Sequence, residues 1–509
     1  MRLGASCDCP LRLLIFLSVS GLCLILLLIL TFLPFEYSFV YANSAPIIND
    51  ANLKAQLVFK GIIFPTSMAF LGPNDILVLE KNNGTVQRIV NGNVLPHPLL
   101  HVIVVKDGER GMLGIAVARN QTKHVTNVFL YYTAPVGTKT TTTTPPSIAT
   151  TTVTKTTATP SNTTTTAVTR TTKTTTVATT SNTTTVDTKT TRNLLYRYDL
   201  VNNELVNPRL LLDLPGLPGP VHNGGKVLVG PDGNLYLIIG DVQGHKTQAE
   251  NVRNGGPPDG TGGVLRVTQD GQPVPNSLLG GIYPQNLYYA YGIRNSFGID
   301  FDPVTGKLWD TENGPNYGDE INLVEPGFNS GWAKVQGIQY AMEDGNPGAI
   351  IRVPHDLEDF GGKGKYRAPE FIWNMTVSPF DHTVAPTALD FLNSDKLGKQ
   401  YQNDMFVGDV KNGNLYRFKL NETRTGLVLN GSLANKIADS KAELYRQGIL
   451  FGQGFGGITD LQVGPDGYLY VLSLANHYYD PTNTGNIYRI VPKLNADIPC
   501  KFVAGNCKP

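Results

Sequence analysis

His222 and Asp241 are the two residues whose spacing best suits them to move a proton. His222 follows Gly219-Pro220-Val221 and precedes Asn223-Gly224-Gly225, just ahead of an apolar strand pattern that starts at Lys226-Val227. Asp241 follows the partner pattern Leu235 to Gly240, and the turn Gly230-Pro231-Asp232-Gly233 folds the two runs together. A hairpin brings its far ends side by side, so the imidazole and the carboxylate meet. An imidazole next to a carboxylate in a cleft is a general base whose tautomer the acid sets. Such a pair alone is more often structural than catalytic. Arg294 and Asn295, in Gly-Ile-Arg-Asn, stand at the entrance of another strand, and Lys411 sits in the hairpin Gly408 to Gly413. Taken singly, each is an ordinary surface group; brought together from the ends of separate units, they would build a polar cleft.

The units that must position them repeat along the chain. Tyr291 to Trp332 reads as strand, tight turn at Asp302-Pro303-Val304-Thr305-Gly306, strand, polar loop and strand. Related patterns start at Pro65, Gly111, Gly225, Pro386 and Ile458, and the turn Gly-Pro-Asp-Gly occurs at both Gly230 and Gly464. With the Tyr291 block this makes six copies of a blade-sized unit. Strand units repeating at that period predict an all-β, six-bladed β-propeller over residues 50–492. A β-sandwich would carry unrelated hairpins rather than a recurring turn sequence. In a propeller the corresponding ends of different blades converge on the central channel, so the polar groups named above are expected there.

Composition narrows the class. The 509 residues carry 42 basic and 41 acidic side chains, a balance that argues against a nucleic-acid surface. No Cys pair has zinc-ligand company, and neither Gly-x-Ser-x-Gly nor His-Glu-x-x-His occurs. Residues 13–33 are almost wholly apolar and follow Arg2 and Arg12, while residues 1–12 read as a cytoplasmic N-terminus. The run is long enough to span a bilayer, and it reads as a single-pass signal anchor or as the core of a signal peptide cut after Val40-Tyr41-Ala42. Either reading exports the propeller. In that compartment Cys500 and Cys507, in the tail 493–509, are expected to pair as a disulfide. Sequons at Asn83, Asn120, Asn162, Asn182, Asn374, Asn421 and Asn430 permit glycosylation. Residues 137–191 are Thr-rich without apolar periodicity, and read as a disordered insert in a hairpin of the second blade.

Four stretches carry a family resemblance: His222–Asp241 (HNGGKVLVGPDGNLYLIIGD), Tyr291–Pro303 (YGIRNSFGIDFDP), Thr311–Trp332 (TENGPNYGDEINLVEPGFNSGW) and Val407–Leu420 (VGDVKNGNLYRFKL). The chain resembles the soluble quinoprotein glucose dehydrogenase and aldose sugar dehydrogenase family, also called glucose/sorbosone dehydrogenase. The resemblance implies a six-bladed propeller that uses pyrroloquinoline quinone (PQQ) and calcium to oxidise an aldose, with an external electron acceptor. It implies His222 as catalytic base, Asp241 as the acid that orients it, and Arg294 and Asn295 as partners of the quinone oxygens. Lys411 resembles a lysine that contacts the cofactor. Gly314 and Pro315 match a loop whose backbone carbonyls hold the cofactor's calcium, and Glu320 with the backbone around Ser330 matches a second calcium position. Two family arginines before the last Gly-Pro-Asp-Gly are Gly457 and Thr459 here, and Val221 replaces an acid found in some members. Glu109 and Arg110 stand where a neutral amide is common, and Arg110 or Lys411 is expected to make up the missing positive charge. The same departures favour a rival reading, a cell-surface propeller that binds a partner and has lost the quinone.

Overall fold

The computed structural model describes residues 45–120, 125–135, 191–475, 483–493, 501–503 and 506–508, with breaks at 245, 276, 278, 339, 344–345, 350–355 and 376–382. The apolar run at 13–33, most of the Thr-rich insert and Cys500 lie outside these residues. No helix among the described residues is long and apolar enough to cross a membrane.

The described residues from 45 onward belong to one compact unit built almost wholly of antiparallel strands. The first large sheet holds Pro65–Gly72, Asp75–Glu80 and Thr85–Val90 with two short edge strands. The second holds Met112–Asn120, Val125–Pro135, Thr191–Val201 and Glu204–Pro215. The third starts from Val227–Val229 and Leu235–Ile239, the fourth from Ser296–Phe301 and Leu308–Glu312, and the fifth from Pro386–Phe391 and Met405–Asp409. The sixth contains Gly457–Val463, Leu469–Leu474 and Thr484–Pro492, and its outer strand is Leu53–Ile63 from the start of the unit. Neighbouring sheets touch in cyclic order along their inner strands, the third meeting the fourth through Leu235–Ile239 and the sixth returning to the first. This is a β-propeller.

Apolar residues hold the ring by filling each seam between neighbouring sheets. Leu77, Val86, Ile115 and Val128 fill the first seam, and Phe129, Leu195, Leu237 and Leu265 the second. Trp309, Phe371, Trp373 and Phe418 pack between the fourth and fifth sheets, with the Phe371 and Trp373 rings edge to face at 5.0 Å. Met68 and Ile76 meet Tyr470 and Leu472 where the ring closes. Each fully buried side chain of this size contributes about 1.5–3 kcal/mol, so the seams outweigh any single polar link.

The repeated turn sequence folds the same way twice. The Gly230 N–H donates to the Asn234 carbonyl at 2.8 Å, and the Gly464 N–H to the Tyr468 carbonyl at 2.9 Å. Asp232 accepts from the Tyr236 hydroxyl at 3.1 Å, as Asp466 does from Tyr470 at 2.9 Å. Gly233 and Gly467 have φ of 76° and 82°, where a side chain would be strained.

The Thr-rich segment joins two hydrogen-bonded neighbours. Val125–Pro135 and Thr191–Val201 pair antiparallel up to the register Pro135↔Thr191. Thr191, read from the sequence as the last residue of the insert, is therefore a buried strand residue, and the connection is 136–190. Replacing 136–190 by a short turn should leave the melting temperature unchanged or slightly raised, because loop closure cost grows by only about 0.6 kcal/mol per doubling of length. A large fall in a calorimetric melt would show that the segment packs on the sheets.

Candidate active site

Backbone contacts bring three distant segments together beside Gly240. A Cβ at Gly240 would stand 2.4 Å from the Arg294 carbonyl and 2.7 Å from the His222 carbonyl. The Asp241 N–H donates to the Arg294 carbonyl at 2.9 Å, and the Val242 N–H to the His222 carbonyl at 3.2 Å. His222 has a φ of 63°, uncommon for a residue with a side chain. Its Nδ1 lies 2.5 Å from Asp241 Oδ1. Asp241 also accepts from the Gln243 N–H at 2.9 Å and from Trp332 Nε1–H at 2.8 Å. With the carboxylate as acceptor, Nδ1 carries the proton and Nε2 keeps the basic lone pair.

Trp332 is fixed in turn. Its carbonyl accepts from Asn251 Nδ2 at 2.7 Å, and the next N–H, of Ala333, donates to the Glu250 carbonyl at 2.7 Å. The Arg294 guanidinium lies over the indole ring, 5.4 Å from its centroid. Arg294 Nη1 donates to the carbonyls of Asn313 and Gly314 at 2.9 and 3.1 Å. Burial lowers the guanidinium pKa, while Asp241, Glu109, Asp319 and Glu312 act to raise it; an arginine so placed stays charged at neutral pH.

Glu109 links this cluster to the channel. Its Oε2 accepts the His222 N–H at 2.6 Å, and Asn295 Nδ2 lies 3.3 Å from each of its oxygens. Glu109 also lines a cavity of about 390 Å³. Thr66, Leu113, Lys226, Phe297, Thr387 and Thr459, at or near the starts of the six inner strands, complete its ring. Lys81, Asn313 and Lys411 face the same space. His222, Asp241, Arg294 and Asn295 do not line the cavity; they stand behind Glu109. The sequence thus anticipated the meeting of His222 with Asp241 and the place of Lys411, but expected the whole polar set in the channel wall.

The cavity carries more positive charge than the motifs suggested. Lys81 Nζ donates to the Gly108 carbonyl at 2.8 Å, and burial lowers its pKa to about 8. Lys226 pairs with Asp460, across the ring from the third sheet to the sixth. Lys411 Nζ bonds the Thr383 hydroxyl. Lys81 opens the turn Lys81-Asn82-Asn83-Gly84 and Lys226 ends the loop before Val227–Val229, where a lysine reads as an ordinary loop or strand-edge residue.

One expected role does not fit. Arg110 turns away from the cavity, its Nη2 bonding the carbonyls of Gly216 and Gly219 and its Nη1 meeting Asp107 at 3.1 Å. It holds the loop that leads to His222 and supplies no charge to the channel. Glu320 already serves Gln336 Nε2 at 2.8 Å, the Gly337 N–H at 2.6 Å, Asn322 Nδ2 at 3.1 Å and the Ser330 hydroxyl at 3.4 Å. The Ser330 hydroxyl also meets Glu312 at 2.6 Å, and its N–H donates to the Tyr291 carbonyl at 3.0 Å. The one Ser330 proton goes to the nearer Glu312, so Glu320 Oε2 holds the Asn322 bond and keeps a second lone pair. Among the described residues, no group of three or more His, Cys, Asp or Glu is arranged to hold a metal ion.

Two supporting carboxylates give the site a pH signature. Asp409 shapes the Lys411 hairpin by accepting from the Asn412 N–H at 2.6 Å and the Tyr416 hydroxyl at 2.6 Å, and burial raises its pKa to about 6. Glu250, beside the Trp332 support, is raised by burial to about 9. Each holds its proton to higher pH folded than unfolded, so each makes stability fall as pH rises. The window runs from about pH 4 to 6 for Asp409 and from about 4.5 to 9 for Glu250. The melting temperature should be higher near pH 5 than near pH 8, and Glu250→Gln should flatten the slope. A melting temperature that climbs over that range would contradict this.

Comparison with known proteins places the chain in a family. Residues 63–477 match the family model described as Glucose / Sorbosone dehydrogenase. The aldose sugar dehydrogenase YliI of Escherichia coli is 26% identical over 286 residues, 55% of this chain and 62% of that one. Quinoprotein glucose dehydrogenase B of Acinetobacter calcoaceticus is 30% identical over 277 residues, 45% of this chain and 57% of that one. The chain thus matches less than two thirds of the length of these two relatives. The soluble aldose sugar dehydrogenase of E. coli in its apo-form aligns with a TM-score of 0.58 at 20% identity, covering 87% of this chain and 100% of that one. The PQQ-bound form of the aldose sugar dehydrogenase from Streptomyces coelicolor aligns with a TM-score of 0.53 at 20% identity, covering 88% and 100%. At these identities the two structures support the propeller fold, and the family match carries the assignment. This chain belongs to the glucose/sorbosone dehydrogenase family.

Proposed function

We propose that this protein is an exported sugar dehydrogenase that oxidises an aldose at C1, with PQQ as cofactor and calcium beside it, and with the six sheets as six blades. The observation that carries the reading is the His222–Asp241 pair, set at 2.5 Å behind a cationic cavity. An aldose loses a proton from its C1 hydroxyl and a hydride from C1, and becomes the lactone. PQQ, when bound, would supply the acceptor for that hydride, with an external acceptor as the final oxidant. His222 Nε2 takes the hydroxyl proton, and Asp241 stabilises the resulting imidazolium through Nδ1. Trp332 Nε1 and the Gln243 N–H keep the carboxylate in line. Arg294 would hold the quinone oxygens with a fixed positive charge that favours negative charge developing in the transition state.

The residues present fit a polycarboxylate quinone. Lys81 and Lys411 line the cavity and match ligand carboxylates without the family's arginines, while Lys226 is paired with Asp460 in the same wall. Buried Asn295 Oδ1, Asn313 Oδ1 and Arg294 Nε have no protein partner, which leaves polar capacity for a ligand. Calcium would rest on the carbonyls of Gly314 and Pro315 and on the cofactor's own oxygens, an all-oxygen set that suits this ion. Export rests on the apolar run at 13–33.

One specific feature favours the rival binding propeller: Thr459 faces the cavity where the family has an arginine. The two readings part on reconstitution. Purified protein given PQQ and calcium should reduce a dye with an aldose. His222→Gln should cut that rate about 10²–10⁴-fold with little change in PQQ affinity. Arg294→Ala should lower both affinity and turnover, and Thr459→Arg should tighten PQQ about tenfold or more, as one charged hydrogen bond would. Folded protein that binds no PQQ and oxidises no aldose would leave the binding propeller as the function.

A further inference from the structure

We propose that Asp319 is a positioning residue of this site, one that locks the Gly314 loop to the segment carrying the partners of Lys411. Asp319 is completely buried at the start of the strand Asp319–Val324. Its Oδ1 accepts the Gly314 N–H at 2.9 Å. Its Oδ2 accepts two N–H groups from the lead-in to the fifth sheet, Val384 at 2.6 Å and Ala385 at 2.8 Å. One carboxylate thus holds two segments that are 70 residues apart, 314 and 384, through three backbone donors and no side chain.

Both segments touch the site. On one side the Gly314 carbonyl receives Arg294 Nη1, and the neighbouring Asn313 lines the cavity. The loop is already tight: a Cβ at Gly314 would stand 1.9 Å from the Tyr317 carbonyl. On the other side the Val384 carbonyl accepts the Lys411 N–H at 3.4 Å, and the Ala385 carbonyl accepts the Val410 N–H at 3.1 Å. Thr383, next in line, receives Lys411 Nζ. Ala385 has a φ of 54°, a backbone state that alanine seldom adopts, and the Asp319 bond to its N–H holds it there. Release of Asp319 would let Arg294, behind the cavity, and Lys411, in its wall, drift independently.

Asn at 319 keeps the size but offers one acceptor oxygen where the carboxylate offers two. Whichever way the amide turns, its NH₂ faces a backbone N–H. In the ligand-free protein, Asp319→Asn should speed amide exchange at Gly314, Val384 and Ala385 by about tenfold or more, the worth of a charged hydrogen bond. The turn amides of Gly233 and Gly467, far from this carboxylate, should be unchanged. The functional arm rests on the proposed quinone function: PQQ affinity, read by quinone absorbance, should fall about tenfold or more, while the binding-independent dye blank stays constant. If wild type binds no PQQ, the quinone reading fails, and the exchange arm still decides the role of Asp319. Uniform acceleration across the sheets, or acceleration at only one of the two segments, would overturn the proposal. If Asp319→Asn does not fold, wild-type exchange under conditions where opening limits the rate decides it: the three amides must exchange together, and separate rates would sink the idea.

Discussion

Closure of the ring is the constraint on which everything else rests. The sixth sheet takes its outer strand from Leu53–Ile63, paired along its length with Thr484–Pro492. Until that pairing forms, the seam between Met68, Ile76, Tyr470 and Leu472 is open and the first and last sheets share no core. Contacts of such sequence separation form late and hold only when the intervening sheets are already in place. Asp460 adds a polar stitch at the same seam, accepting from the Ser67 hydroxyl at 2.9 Å and the Met68 N–H at 2.8 Å while pairing with Lys226 across the channel. The cavity exists only in the closed ring, because every inner strand contributes to its wall.

The polar site follows a consistent physical pattern. Several acids of the site accept backbone N–H groups from other segments: Asp319 from Gly314, Val384 and Ala385, Glu109 from His222, and Glu312 from Arg294. Each such bond fixes a loop as well as a charge, since a backbone donor cannot move without its chain. Lys81 and Lys411 are left to face the cavity. Burial works against both signs, lowering the Lys81 pKa to about 8 and raising that of Glu312 to about 7. A polyanionic ligand would answer the first of these costs by supplying the charge that the lysines lack.

Much of this was legible in the sequence for a simple reason: it was local. The His222–Asp241 meeting is decided by one hairpin, its turn residues and the period-two alternation of its strands. The Lys411 hairpin and the paired Gly-Pro-Asp-Gly turns are local in the same sense. Repetition of the unit announced a propeller, and the four motif blocks announced the family. Glu109 was noticed as a charged residue in an unusual place, and it proved to be the link between His222, Asn295 and the cavity.

What the sequence could not decide were contacts between segments far apart along the chain. Whether Arg110 faces the channel or the Gly216–Gly219 carbonyls depends on packing between the second and third sheets. Lys226 looked like a strand-edge residue until ring closure set Asp460 opposite it. Trp332 stood in a quoted motif without a role, and only the fold turned its indole N–H toward Asp241. Side-chain type and local spacing determine which groups a loop offers. Which of those groups meet, and which lone pairs are already spent, is set by the closed ring, because only there do sheets with no sequence adjacency share a wall.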